Sequence, residues 1–407
     1  MLLDLLVGLR VVECPAFVAA PLCGNVLAQL GADVIRIDPL HGGLDQRRWP
    51  VNEAGQSLYW AGLNSAKRSV AIDLQSSAGR TLAKALITAP GEGAGIFSTN
   101  LAPEWARYDE LRAARPDLIM LSIEGHPDGR SAVDYTVNAE TGLPFLTGTG
   151  GTPVNHSLPA WDITTGLHGA LALLSAERRR RQSGEGAHLR LALSDVAFGT
   201  LSALAYTSEV EVNSRGRGAL GNYVYGTFGR DFSSRDGHRI MIVAVTKRQW
   251  LALGKATDLE VAFADAEKNL GLDFADEGDR FRGREAIARL LEQWCASRDL
   301  AAIEQMLSNS GACWSVYRTI EEAVRRDPRF VSNDNPAFEK IVHPHLGRLT
   351  VAGAVVRIEG EERQRVAPPP FLGQHTKEVL QRVLGLTDKE IEHLRDNHIV
   401  GPPTEFA

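Results

Sequence analysis

A doubly wound, Rossmann-like α/β large domain with a smaller α+β domain is predicted by three observations. Strand-like apolar runs alternate with helical segments from Arg10 to Ile123, glycine and proline punctuate that alternation, and 407 residues are too many for one compact core. The first strand runs from Arg10 to Glu13. A helix follows from Pro21 to Leu30, with Leu22, Val26 and Leu30 on one face, Pro21 in its first turn and Gly31 at its stop. The segment DVIRID, Asp33 to Asp38, completes a βαβ unit.

Further units repeat the pattern: strands at Ser69–Asp73, Ala94–Thr99 and Asp117–Ile123, helices at Ala78–Thr88 and Pro103–Arg115. A long helix spans Asp162 to Gln182, where Ile163, Leu167, Leu171 and Leu174 recur at helical spacing and predict a buried stripe. Arg178 to Arg181 close it and read as a solvated face that complements the helix dipole. HLRLALSD resumes in extended form before a helix near Val196–Ser208. Between Asn213 and Tyr223 the composition shifts to glycine-rich SRGRGALGNY, a linker or mobile loop. A strand at Arg239–Val245, helices around Gln249 and Gly283–Arg298, short antiparallel strands within Pro344–Ala354, and helices at Thr376–Leu384 and Asp388–Leu394 follow.

Composition narrows function mainly by exclusion. The net charge of −6 gives no pull on a polyphosphate backbone, so no nucleic-acid partner is expected. Cys14, Cys23, Cys295 and Cys313 form neither a disulfide framework nor a CxxC pair, and the histidines show no metal spacing, so no metal is expected. No apolar run spans a membrane, and the N-terminus lacks a basic leader and cleavage site, which predicts a soluble, cytoplasmic protein. GEGAGI at Gly91–Ile96 fails the dinucleotide fingerprint, because Ile96 replaces the last glycine and the segment precedes a strand. Walker and GxSxG motifs are absent as well.

What remains is a set of carboxylates and small-residue loops. The opening LVGLRVVECPAFVAAPLCGNVLAQLGADVIRIDP, the segment LNSAKRSVAIDL and the C-terminal LGQHTKEVLQRVLGL resemble the family III CoA-transferases over nearly the whole chain. RWPVNEAGQSLYWAGLN, VDYTVNAETGLPFLTG, LPAWDITTG and GNYVYGTFGRDF narrow the resemblance to members that shift CoA between the two carboxyl groups of one unsaturated diacid. The resemblance implies that Asp162, in PAWDITTG, is the nucleophile. A carboxylate can attack an acyl-CoA thioester to form a mixed anhydride and then carry CoA itself as a thioester. Helix amides and the positive dipole end would keep Asp162 ionised and stabilise a developing oxyanion. Residue physics alone leaves open that Asp162 is an ordinary N-cap.

Asp134, in VDYTVN, matches an acidic family position near the substrate; it would position the free acid or share its proton, or be plainly structural. The related racemases carry a histidine and a glutamate base where this chain has Val133 and Ser233, so racemisation lacks its machinery. CoA contacts implied by the resemblance fall on Phe17, Val18 and Ala19, on Asp38, on Lys67 and Arg68, and on Asn100 and Arg107, each with a packing or surface alternative. Val18 stands where the transferases usually have glutamine. A glycine-rich lid would comprise Gly218, Gly221, Asn222 and Tyr223, excluding water, with an interdomain linker as the alternative. The family pattern further implies a large domain at 1–212, the linker and small domain at 213–330, and C-terminal segments 331–407 returning to the large domain. It also implies an interlocked homodimer, with CoA entering as part of the substrate and no separate cofactor.

Overall fold

Six strands form one parallel sheet: β1 (Arg10–Cys14), β2 (Asp33–Asp38), β3 (Arg68–Ala71), β4 (Ile96–Thr99), β5 (Ile119–Glu124) and β6 (Ala187–Ala192). Their spatial order is β3-β2-β1-β4-β5-β6, the doubly wound arrangement in which the order of adding parallel strands reverses between β1 and β4. The structure, a computed structural model, describes residues 3–148, 150–331, 335, 337–361 and 364–401. Two compact units divide the chain, one of Met1–Thr141, His156–Val212 and Pro328–Ala407, the other of Gly142–Asn155 and Asn213–Asp327.

Strands β1 to β5 are buried on both faces and carry apolar residues on each, while the edge strand β6 alternates, with His188 and Arg190 exposed. Val12, Ile35, Ile37, Val70 and Phe97 face one side, where Leu86, Val379, Leu380 and Ile391 cover them. Val11, Val34, Ile96, Ile119 and Leu121 face the other, beneath Leu27, Ala170 and Leu173. The helices that matter for the site are α1 (Ala19–Gln29), α2 (Leu58–Leu63), α3 (Ser77–Thr88), α4 (Tyr108–Ala114), α5 (Asp134–Glu140), α6 (Leu143–Thr147, in the second unit), α7 (Ala160–Ser183) and α8 (Leu193–Ala203). C-terminal helices at Thr376–Leu384 and Asp388–Asp396 complete the first face.

Two helices bury a different side from the one their leucines mark. In α1 the buried residues include Cys23, Gly24, Leu27 and Ala28, while Leu22, Val26 and Leu30 are only half-buried. In α7 the buried positions are Trp161, Thr165, Gly166, Gly169, Ala170 and Leu173, and Leu167 and Leu171 are 49% and 64% exposed. The reason is close approach: a Cβ on Gly166 would lie 2.8 Å from the Ala19 carbonyl oxygen, and one on Gly169 would lie 3.1 Å from Leu121 and 3.4 Å from the Cys23 sulfur. Small residues therefore set the contact, and a leucine stripe would hold the helices apart. Arg180 also departs from the solvated face expected of Arg178–Arg181. It is buried and its Nη1 donates to the carbonyls of Ala94, Gly95 and Asp117, satisfying strand-end oxygens.

In the second unit, β7 (Phe228–Ser233), β8 (Arg239–Ala244) and β9 (Cys313–Val316) form an antiparallel sheet over a core of Phe228, Phe232, Ile240, Trp250, Phe274 and Leu291. β7 was not foreseen, because FGRDFS carries a glycine and two charges; Asp231 is neutralised by Arg239 of the neighbouring strand. A hairpin of β10 (Phe338–His343) and β11 (Gly347–Ala352) belongs to the first unit. Among the described residues no helix is long and apolar enough to cross a membrane.

Candidate active site

The carboxyl ends of β1 and β4 open where the strand order reverses, the usual place for a ligand in such sheets. Asn100, just past β4, clamps the loop after β1: its Oδ1 accepts from Ala16 N and its Nδ2 donates to Ala16 O, both at 2.8 Å. Phe17 follows with φ +64°, a left-handed conformation costly for an aromatic residue. It is held there because its amide donates to Asp45 Oδ2 at 3.2 Å. Asp45 is fixed in turn by the fully buried Arg36, whose Nη2 donates to it at 3.1 Å and whose Nε donates to Asp38 at 2.7 Å.

Asp162 lies in the first turn of α7. Pro159, at the cap position, offers no side-chain acceptor, so the helix is capped from elsewhere. Asp134, 1% exposed at the start of α5, places Oδ2 where it accepts from Trp161 N at 2.7 Å and from Asp162 N at 3.0 Å. Its Oδ1 pairs with His156 Nε2 at 2.8 Å. Asp134 thus holds the helix start and does not lie open to a substrate.

The half-buried Asp162 carboxylate receives no hydrogen bond among the described residues. Its pKa is pushed from 3.8 up to about 6, first by burial and then by the neighbouring Asp134 charge, with Arg48 acting in the opposite sense. This corrects the expectation that helix amides would favour its charged form. Those amides are spent on Asp134, and that second carboxylate adds repulsion. The result is a poorly solvated, more basic carboxylate, which is a stronger nucleophile and still ionised at neutral pH.

Residues 6–376 match the model of CoA-transferase family III. The chain belongs to CoA-transferase family III. This family III protein is 51% identical over 404 residues to 2-methylfumaryl-CoA isomerase of Chloroflexus aurantiacus, covering 98% of each chain. It is 27% identical over 424 residues to the succinyl-CoA–L-malate CoA-transferase beta subunit of the same organism, covering 97% of this chain and 98% of the relative. The crystal structure of a CAIB/BAIF family protein from Brucella suis superposes with a TM-score of 0.75 at 25% identity, over 93% of this chain and 99% of that one.

The sequence-predicted CoA contacts of the family III protein separate in the structure. Phe17, Val18 and Ala19 sit together at the opening of α1, where Val18 supplies no side-chain cap. Asn100 is beside them, with its amide occupied by Ala16. Asp38 and Lys67 are corrected to structural roles. Asp38 is fully buried and accepts from Arg36 and from Ser69 Oγ, the latter at 2.7 Å. Lys67 Nζ spends its three protons on Glu13 at 2.6 Å, Pro21 O at 2.7 Å and Asn64 Oδ1 at 2.9 Å, leaving none for a phosphate. Arg68 grips Asp33, the first residue of β2, which turns it toward the amino end of the strands and away from the loop after β1. Arg107 is exposed and makes no ion pair among the described residues.

The predicted lid residues Gly218, Gly221, Asn222 and Tyr223 belong to the second unit. Gly221 has φ +56°, Leu220 N donates to Leu146 O of α6 at 3.0 Å, and the Tyr223 hydroxyl donates to Glu285 at 3.0 Å. Among the described residues no cluster of His, Cys, Asp or Glu is disposed to hold a metal. Sequence reading missed Arg48, Tyr59 and His156. Arg48 and Tyr59 fall in RWPVNEAGQSLYWAGLN, the stretch shared with the narrower group, which was the available signal.

Proposed function

We propose that the protein moves CoA between the two carboxyl groups of 2-methylfumarate, converting 2-methylfumaryl-CoA (mesaconyl-C1-CoA) into 3-methylfumaryl-CoA (mesaconyl-C4-CoA). The substrate assignment rests on one observation, the full-length 51% identity to an isomerase of that name. Asp162 supports the chemistry as an ionised carboxylate with no hydrogen bond to quench it. It attacks the C1 thioester carbonyl, forming a mixed anhydride and expelling CoA thiolate. The thiolate attacks the aspartyl carbonyl, giving aspartyl-CoA and free mesaconate. The diacid turns end for end and its C4 carboxylate attacks the aspartyl thioester, regenerating an anhydride and thiolate. Attack of the thiolate on the C4 acyl carbonyl releases product and restores the Asp162 carboxylate.

Retention of mesaconate between the half-reactions makes the transfer intramolecular. Gly218, Gly221, Asn222 and Tyr223 are assigned as the lid that retains it, and Phe17, Val18, Ala19 and Arg107 as groups bordering the CoA moiety. A homodimer accords with the exposure of Leu167 and Leu171 on α7 and of Phe198 and Leu204 at 43% and 59%. A cytoplasmic location accords with four free cysteines. The test supplies purified protein with mesaconyl-C1-CoA and no free acid. C4 ester should form, hydroxylamine should trap Asp162 as its hydroxamate, and labelled free mesaconate should stay out of product. Label entering at the rate of turnover refutes the intramolecular reading; unmodified Asp162 refutes the mechanism.

A further inference from the structure

Arg48, a cation close to the candidate nucleophile, has no carboxylate partner among the described residues. It is exposed, and none of their carboxylate oxygens lies within 4.0 Å of its guanidinium. It is nevertheless a built feature. Its amide donates to Asp45 O at 3.1 Å, and its carbonyl accepts from Ser57 Oγ at 2.5 Å, the same hydroxyl that caps α2. The guanidinium carbon sits 5.3 Å from the Phe17 ring centroid and 5.0 Å from that of Tyr59. Two aromatic faces thus hold the head group, one side-chain hydrogen bond goes to the Tyr59 hydroxyl, and the remaining donors of the five-proton fork have no carboxylate among the described residues. The charge of Arg48 counters the rise in the Asp162 pKa, and the same two charges act on the half-buried Tyr59 phenol from opposite directions. The geometry agrees: Arg48 packs on Phe17 at the opening of α1, and the Ala19 carbonyl two residues on lies against Gly166, one turn along α7 from Asp162.

We propose that Arg48 is the clamp for the non-reacting carboxylate of the dicarboxylic acyl group, holding it by paired hydrogen bonds while the other carboxyl carbon is at Asp162. This rests on the isomerase reading for the identity of the diacid. The planar guanidinium matches a carboxylate in bidentate geometry, and the short, rigid diacid keeps its two ends at a fixed separation. In the first half-reaction the free group is C4, and after the diacid turns it is C1. One cation therefore serves both halves, because each half leaves one carboxylate free.

The test compares mesaconyl-C1-CoA with tiglyl-CoA, in which a methyl group replaces the second carboxylate. The readout is the single-turnover rate of thioester formation on Asp162. Wild type should favour the diacid ester strongly, and Arg48→Gln should shrink that preference by about 10²-fold or more, through loss of rate on the diacid ester. Arg48→Lys keeps the charge without the fork and should fall between. Equal slowing of both thioesters, or an unchanged preference, overturns the proposal. Failure of the isomerase reading looks different: wild type would load Asp162 from the diacid ester, with the preference intact, yet make no C4 ester.

Discussion

Replacing Asp162 by Asn should destroy the reaction and stabilise the fold, in a way that depends on pH. Asn keeps the shape of the side chain and removes its charge. In the folded protein the Asp162 carboxyl is raised from 3.8 to about 6, chiefly by burial and then by Asp134. The native state therefore holds this proton longer than the unfolded chain does. Below about pH 4 both states are protonated and the charge carries no penalty. Between about pH 4 and pH 6 the unfolded chain ionises first, so wild type loses stability as pH rises, and above about pH 6 the loss is complete. At about 1.4 kcal/mol per pH unit the upper bound is about 3 kcal/mol, reduced to about 1–3 kcal/mol because the group is partly solvated. Thermal melting of both proteins across this range, read as the difference in Tm, is the assay. The variant's advantage should be near zero in acid and reach about 2–5 °C near pH 8, while trapped enzyme thioester vanishes. A pH-independent difference, or a variant less stable at pH 8, would refute the claim that the protein holds an unfavourable charge here.

Three variants test the same geometry further. Thioester formation on Asp162 should rise with pH through about 6 in wild type, and Asp134→Ala should move that rise to lower pH by removing the like charge. The same variant leaves two helix amides and His156 without their acceptor and should lower stability by about 2–4 kcal/mol in urea unfolding. Lys67→Met breaks a fully buried pair and strands Glu13, costing about 3–5 kcal/mol; with all three ammonium protons spent inside the protein, KM for the CoA ester should stay unchanged in whatever fraction folds, and a raised KM would restore Lys67 to the CoA site. Gly166→Ala forces α7 away from the Ala19 carbonyl, and kcat should drop more than KM rises, with a stability loss of about 1–3 kcal/mol in denaturant titration.

The β/α alternation was legible because a parallel sheet covered on both faces demands apolar strands, and DVIRID coincides with β2 from Asp33 to Asp38. Helix faces were less legible for the opposite reason. Where α1 and α7 pack side by side on one face of the sheet, close packing needs Gly24, Ala28, Gly166 and Gly169, and a small residue carries no hydrophobic signal to count. Charged residues divide in the same way. Lys67, Arg68 and Arg107 look alike in a sequence, yet Lys67 is consumed by Glu13 across the core, Arg68 by Asp33 at an edge, and only Arg107 is left exposed. Arg48 was hard to single out, because it is the second of two adjacent arginines in RRWP and only its place in the shared stretch marked it.

The distribution of these charges makes a physical case for how the site is built. Arg36, Asp38, Asp45 and Lys67 are shielded from solvent and satisfied by one another, by neighbouring side chains or by backbone, so they fix the loops at the switch point. Asp134 then fixes the start of α7. Against that rigid frame stand two side chains with no ion pair among the described residues, the Asp162 carboxylate, which accepts no hydrogen bond there, and the Arg48 guanidinium, whose side-chain hydrogen bond goes to Tyr59. The partly buried carboxylate has no contact that offsets its lost solvation, and the exposed cation near it still has donors to give. An acyl group with a thioester at one end and a carboxylate at the other answers both at once, and a monoacid answers only one. Selection for a diacid thus follows from the same arrangement that raises the nucleophile's basicity, and disabling either group should be felt at the other.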